Sequence, residues 1–462
     1  MGGDLKQVKS KKKMNGRVVL IIALLVLLIP LALLAVWRME GQAPSIAHDL
    51  AEPAIGEAPR RIVVDIQERG RGLKSARAMV SQAGREVLLD EARFDGSMLL
   101  TGNDVKAHRM TLTIDSRKLN LSDGEAILRV TARDYSWRNW WNGNQTVVDI
   151  PLTIDSKPPS LTVLSRFHYV NQGGSGLLVY RLDEPCLRHG VLVGERFFPG
   201  YPAGAADRLT MMAFFAVGYD QKPNTVIRAR AVDRAGNETT AGFSYRIRAK
   251  RFRKDVLNIS ERFIQQKMQP LLAAAGGTQT EPRAIFLAVN RDMRERNYDA
   301  LTALADRATP EISWEGAFMR LPRAANRAQF ADHRVYKYRG AVIDRQVHLG
   351  ADLASLKQSP VPAANNGQVV FTGDMGIYGN TVVIEHGCGL FSLYSHLSSI
   401  QASTGDRVAK GVVIGHTGVT GLAVGDHLHF GMMVHDTFVN PIEWWDAHWI
   451  QDNITEKIKQ VR

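Results

Sequence analysis

From Val18 to Trp37 the chain runs 20 residues without a charge. At ~1.5 Å per residue that length crosses a bilayer, so the stretch predicts a membrane-spanning helix, with Pro30 tolerable inside it. After a 38–59 linker the pattern changes to a period of two. Short alternating segments rich in β-branched residues, separated by turn signals, predict two β-sandwich modules at 60–156 and 157–249. An internal repeat supports the pairing: "AILRVTARD" (Ala126 to Asp134) and "TVIRARAVD" (Thr225 to Asp233) share an arginine, an alanine and the closing aspartate. The proline pair in "DSKPPSLTV" marks the boundary, because a strand cannot run through it. From 250 to 330 the apolar spacing turns helical. Ile259, Phe263, Ile264 and Met268 fall on one face behind Asn258, with Glu261 three residues on, a capping-box signature. With "NYDALTALADRA" further along, this predicts a helical connector. Residues 331–446 return to strands, among them a hairpin turning at Gly387-Cys388-Gly389, and 447–462 form a C-terminal tail. The expected fold class is mainly β.

Composition and charge add direction. With 462 residues, 45% hydrophobic and 23% charged, the chain is globular material for about three domains, not a disordered polymer. Six of residues 1–17 are Lys or Arg against one acid. Such a tail stays cytoplasmic, which places residues 38–462 outside the cytoplasm. The apolar span runs long and ends in "WRME" rather than small residues, so an uncleaved anchor is expected, not a signal peptide. Of the net charge of +12, the tail holds +5, residues 331–462 hold −2 and the stretch between holds +9. Its densest run is "RIRAKRFRK", comprising Arg246, Arg248, Lys250, Arg251, Arg253 and Lys254. This run is either a solvated linker face or a contact for an acidic polymer. Nucleic acid is not expected as a partner outside the cytoplasm. Cys186 and Cys388, about 200 residues apart, predict neither a disulfide nor a Cys-based zinc cluster, and are expected as small buried thiols.

Nine of the thirteen histidines lie in residues 331–462. In "GDHLHFG" an extended chain puts His427 and His429 on one face and Leu428, Phe430 and Met432 on the other, so the imidazoles look onto a hollow. His348 and Asp352, at i and i+4, share a face whether the backbone is helical or extended, and both can reach one ion. By the same alternation Tyr394 and His396 face away from Phe391, Leu393 and Leu397. A catalytic zinc site asks for three protein ligands of His and carboxylate type and leaves a fourth position for water. His348, Asp352 and one histidine of the H-x-H pair meet that demand, and the other histidine and His396 remain for proton transfer and for stabilising an oxyanion. His386, beside Val382 and Ile384, reads as structural, and His416 is left without a role.

Four segments taken together, H-x-G-x-D at 348–352, "YSHLS" at 394–398, "GDRVAKGVVIGHTGVTG" and "GDHLHF" at 425–430, resemble the lysostaphin-type (LytM-domain) zinc metallo-endopeptidases. The resemblance implies an antiparallel β-domain with one Zn2+ in an open groove, held by His348, Asp352 and His429. His427 and His396 would do the acid-base and oxyanion work. It implies a hydrolase of peptide cross-links in bacterial peptidoglycan. Combined with the anchor, the expectation is a single-pass protein of the bacterial inner membrane with its catalytic domain on the periplasmic or extracytoplasmic side. The β-modules and connector would form a stalk, and the basic run would meet acidic wall polymer. The alternative is a non-catalytic LytM-type adaptor that activates another wall hydrolase. Separately, "AVDRAGNETT" resembles the closing hairpin of bacterial immunoglobulin-like modules, which speaks to fold only.

Overall fold

The computed structural model describes residues 15–97, 102–204 and 207–459. Most of the basic tail, residues 1–14, and the last three residues of the C-terminal tail lie outside the described residues. The chain is mainly β and divides into two compact units, one holding the chain to Lys157 together with Arg234–Asn237, the other Pro158–Asp233 and everything from Glu238 onward.

In the first unit, the apolar run forms a helix over Gly16–Arg38, one residue or two longer at each end than the uncharged span. Two sheets follow. Ser45–His48, Arg60–Gln67 and Ala107–Ile114 make one of three strands, and Ala54–Ile55, Gln145–Ile154, Gly124–Asp134, Leu73–Gln82 and Arg85–Arg93 make one of five, in that order. Their inward positions alternate as the sequence pattern requires. Ile62, Val64 and Ile66 from the smaller sheet meet Ala78, Val80, Leu128 and Val130 from the larger in one core. The 38–59 stretch expected as a linker instead contributes a strand to each sheet, and Ile55 is fully buried. Those strands are four and two residues long, too short for alternation to reveal them.

In the second unit, residues 161–248 form two four-stranded sheets and a short parallel pair. All seven residues of Thr210–Ala216 are buried. That strand has no solvent face because its surroundings include the C-terminal region. Leu177, Phe214 and Phe215 belong to the same apolar core as Leu428, Phe430 and Trp444. The C-terminal region is built on an eight-stranded antiparallel sheet whose middle strands are Ala351–Ala354, Leu428–Val434, Leu390–Ser395, Asn380–Glu385 and Gly367–Asp374. Its other face packs on Ile264, Met268, Phe286, Val289 and Met293 from the helices of the 250–330 segment, together with Tyr336 and Ile343. This segment is not wholly helical. Lys254–Ile259 is a strand that pairs in parallel with His333–Tyr338, so Asn258 caps nothing. The helix begins at Glu261, capped by Ser260, whose hydroxyl accepts from the Phe263 N–H at 3.2 Å.

Candidate metal centre

The strand register assembles the site. Asp352 sits directly opposite His429 on the neighbouring strand, and Ser395 sits opposite His429 on the other side. His348 lies in the turn between Ala341–Val347 and Ala351–Ala354, held by backbone hydrogen bonds to Asp332 and Ala331. Its Nδ1 is 2.9 Å from the Gln329 carbonyl, which can only accept, so the proton is on Nδ1 and Nε2 is bare. That bare nitrogen lies 3.0 Å from Asp352 Oδ1 and 3.0 Å from His429 Nδ1, and His429 Nδ1 lies 2.9 Å from the same oxygen. Three lone-pair atoms thus converge where at most one proton can be shared. A cation satisfies all three, and the donor set of two imidazole nitrogens and a carboxylate oxygen is that of a zinc site with an open position. His429 Nε2 is buried without a hydrogen-bond partner, so the ring is held by packing. Gly350 is part of that packing, because a Cβ there would stand 2.6 Å from the His429 ring.

Electrostatics follow from burial and neighbours. Asp352 is buried, which alone would raise its pKa, but the surrounding histidines, His348 first and then His427 and His429, hold it well below the usual carboxylate range. Burial pushes His429 down to about 4. Burial, and then the charges of His429 and His427, push His396 well below the ordinary imidazole value. For His427 burial works downward, yet the hydrogen bond and charge of Asp352 outweigh it and the net shift is upward. Its Nε2 lies 3.6 Å from Asp352 Oδ1, and its Nδ1 donates to the Gly425 carbonyl at 2.7 Å. His396 donates from Nδ1 to the Thr420 carbonyl at 2.9 Å.

His396 reaches the site by a route that alternation missed. Tyr394 is buried in the core on the opposite face of the sheet, and even-numbered His396 would follow it there. Instead His396 takes a left-handed backbone (φ 66°) just past the strand end. Its ring then lies 4.9 Å from that of His427 and 5.8 Å from that of His429. The five residues singled out in the sequence, His348, Asp352, His396, His427 and His429, all line one groove of about 600 Å³. The groove stands at the end of the sheet, since farther along the histidine-bearing face Met433 and Leu393 are covered by packed side chains.

Sequence reasoning missed Arg334, Arg294 and Tyr378, which also line the groove. Arg334 Nη2 is 3.4 Å from Asp352 Oδ2, and the Tyr378 ring is 5.4 Å from that of His429. They arrive from a neighbouring sheet, a helix and a short 3-10 turn, so no local spacing announces them. His386 is buried between the Asn366 carbonyl and the Ser392 hydroxyl, 2.7 Å from each, with its pKa pushed down to about 4, a structural arrangement. His416 contacts Ser399 at 3.1 Å and is not among the groove-lining residues. Cys186 is half-buried and Cys388 buried, both free thiols that burial pushes up to about 12.

Residues 346–441 match the model of peptidase family M23. This segment is an M23 (LytM-type) peptidase domain. Among curated relatives, the chain is 40% identical over 97 residues to the DD-carboxypeptidase/endopeptidase Mpg of Neisseria meningitidis, covering 21% of this chain and 22% of that one. To the peptidoglycan DD-endopeptidase ShyA of Vibrio cholerae it is 38% identical over 96 residues, again 21% and 22%. The chain therefore spans less than a quarter of the length of these two relatives. Among solved structures, the catalytic domain of lysostaphin from Staphylococcus simulans is 27% identical, with 28% of this chain and 98% of that one covered and a TM-score of 0.25.

Proposed function

We propose that this protein is a zinc-dependent endopeptidase that hydrolyses peptide cross-links of bacterial peptidoglycan, anchored in the inner membrane by the Gly16–Arg38 helix with its catalytic domain outside the cytoplasm. The observation that carries the reading is the convergence of His348 Nε2, Asp352 Oδ1 and His429 Nδ1 within about 3 Å of one another, beside two further histidines in an open groove. The relatives named as acting on peptidoglycan, and on DD-peptide bonds, support the substrate class.

Zinc held by those three atoms would supply the positive charge that polarises a peptide carbonyl and acidifies a water. The remaining steps fall to the chain itself. His427, its Nδ1–H fixed on the Gly425 carbonyl, presents Nε2 to the groove. There it takes the proton of the attacking water and returns it to the leaving amine. His396, fixed in the same tautomer by the Thr420 carbonyl, keeps its ring at the groove beside that of His427, where the resemblance places the residue that meets the developing oxyanion. Arg334, 3.4 Å from Asp352 Oδ2, holds the carboxylate in place. A non-catalytic adaptor would need neither spare histidine. The two readings separate in one comparison: incubating the full chain with purified sacculi, alone and with a second wall hydrolase. The enzyme reading expects soluble peptide fragments from the chain alone, and release only in the presence of the second hydrolase would favour the adaptor.

A further inference from the structure

The end of the apolar helix is not free. Trp137 N–H donates to the Arg38 carbonyl at 2.9 Å, Arg138 Nε to Met39 at 3.2 Å and the Ser136 hydroxyl to Glu40 at 2.9 Å. Arg38 itself is fully buried, donating to the Tyr135 carbonyl at 3.1 Å, and the Arg71 guanidinium lies 3.4 Å from the Trp37 ring centre. One loop, "SWRNWWNG" over 136–143, thus leaves the five-stranded sheet where the helix ends.

This loop is built to display aromatic rings. The Asp134 carboxylate fixes its two ends by accepting from Ser136 N at 3.0 Å and Asn144 N at 2.6 Å. Between them Asn139, Trp140 and Trp141 all adopt left-handed backbone, with φ of 52°, 53° and 72°, a conformation disfavoured for bulky residues. The result leaves Trp140 93% exposed and Trp141 46% exposed. In water that arrangement gains nothing. At a bilayer interface, where an indole has one wet and one apolar side, it is favourable. The adjoining sheet face is cationic. Lys74 Nζ lies 3.5 Å from the Trp141 carbonyl, and Ser75 pairs with Arg93 on one neighbouring strand and Arg133 on the other, so these cations form a row beside the loop. Glu91, paired with Arg93 at 3.1 Å, is the acid among the residues lining this face.

We infer that Trp140, Trp141 and the row Lys74, Arg93 and Arg133 form a footing that binds the anionic phospholipid headgroups of the bilayer entered by the Gly16–Arg38 helix. The inference rests on the anchored reading of that helix. It fixes the first unit against the membrane surface, because the loop is hydrogen-bonded to the helix end and cannot move independently of it. Each cation at such a surface strengthens attachment about fivefold when the lipid is anionic.

The test uses the full chain with Cys186→Ala and Cys388→Ala, and an environment-sensitive nitrobenzoxadiazole probe on Asn139→Cys, which keeps both tryptophans. A control probe on Leu88→Cys sits in the middle of the Arg85–Arg93 strand of the same sheet, away from the loop. In nanodiscs of phosphatidylcholine and phosphatidylglycerol, the 139 probe should emit to the blue of the 88 probe and be quenched by a headgroup-region nitroxide lipid. Trp140→Ser with Trp141→Ser should abolish the shift, and Arg93→Gln with Arg133→Gln should weaken it in anionic discs but not in neutral ones. Chains that enter the discs while both probes behave alike overturn the footing and leave the anchor standing. Chains that never enter the discs overturn the anchor, and the footing with it. A shift produced by sacculi in place of lipid would assign the loop to wall polymer and also overturn the proposal.

Discussion

His348 is committed before any cation arrives, because the Gln329 carbonyl fixes its tautomer and leaves Nε2 facing two other acceptors. His348→Ala should therefore lower zinc from about one per chain to near none in elemental analysis, since two ligands do not hold an exchangeable ion tightly. Full occupancy in that variant would remove His348 from the ligand set. His427→Ala and His396→Ala should each keep zinc while turnover falls roughly 10²-fold or more. Equal loss of metal and activity would make them ligands instead. Gly350→Ala tests the packing alone, because its Cβ would meet the His429 ring at 2.6 Å. Zinc affinity should drop with every ligand still present, and competition with a chromogenic chelator reads it. At this scale the sequence was informative where chemistry follows spacing, as in H-x-H and the His-Asp pair. It was silent on Arg334, which comes from another sheet, and it misjudged how His396 reaches the groove, because a left-handed residue breaks the alternation on which the reading relied.

Among the elements, the helix Pro441–Trp445 shows how the second unit is tied together. Glu443 is buried, and its carboxylate accepts from Asn171 Nδ2 at 2.7 Å and from Ser175 N at 3.0 Å, so it bridges the peptidase domain to the 158–248 strands. Glu443→Leu should destabilise the unit by about 1–3 kcal/mol, the usual range for stranding buried donors. Chemical denaturation measures this, and an unchanged midpoint would contradict it. No sequence pattern revealed the bridge, since its ends lie far apart in the chain. The strand Lys254–Ile259 was hidden for a related reason. Its alternation is weak, and its partner His333–Tyr338 comes more than seventy residues later, so the helical spacing beginning at Ile259 dominated the local reading.

For the whole molecule, the shared core of the 158–248 strands and the peptidase domain means that they should unfold as one unit. That unit also carries an acid sensitivity. Burial pushes His168, His386 and His435 each down to about 4. The unfolded chain then binds more protons than the folded one between pH ~6.5 and ~4, and stability falls across that window as pH drops, by up to ~1.4 kcal/mol per pH unit for each histidine. Thermal melts at pH ~7 and ~4.5 should differ accordingly, and equal midpoints would refute the assignment. The six cations Arg246, Arg248, Lys250, Arg251, Arg253 and Lys254 are exposed, with Arg253 paired to Asp255. If they meet acidic wall polymer, neutralising them should reduce retention on sacculi at low salt, where screening is weakest, without changing cleavage of a small peptide. The broad plan of a long apolar helix, a β-rich middle and a strand-built C-terminal domain was legible because hydrophobic periodicity reports it. The merging of middle and end into one core was not, because periodicity says which face is buried and never against what. Mass spectrometry of the material that the zinc-loaded full chain releases from purified sacculi decides whether the protein cuts the wall. Peptide fragments with newly exposed amino and carboxyl ends are expected, absent when zinc is chelated and absent with His348→Ala. An intact wall after incubation with the zinc-loaded protein would contradict the proposed function.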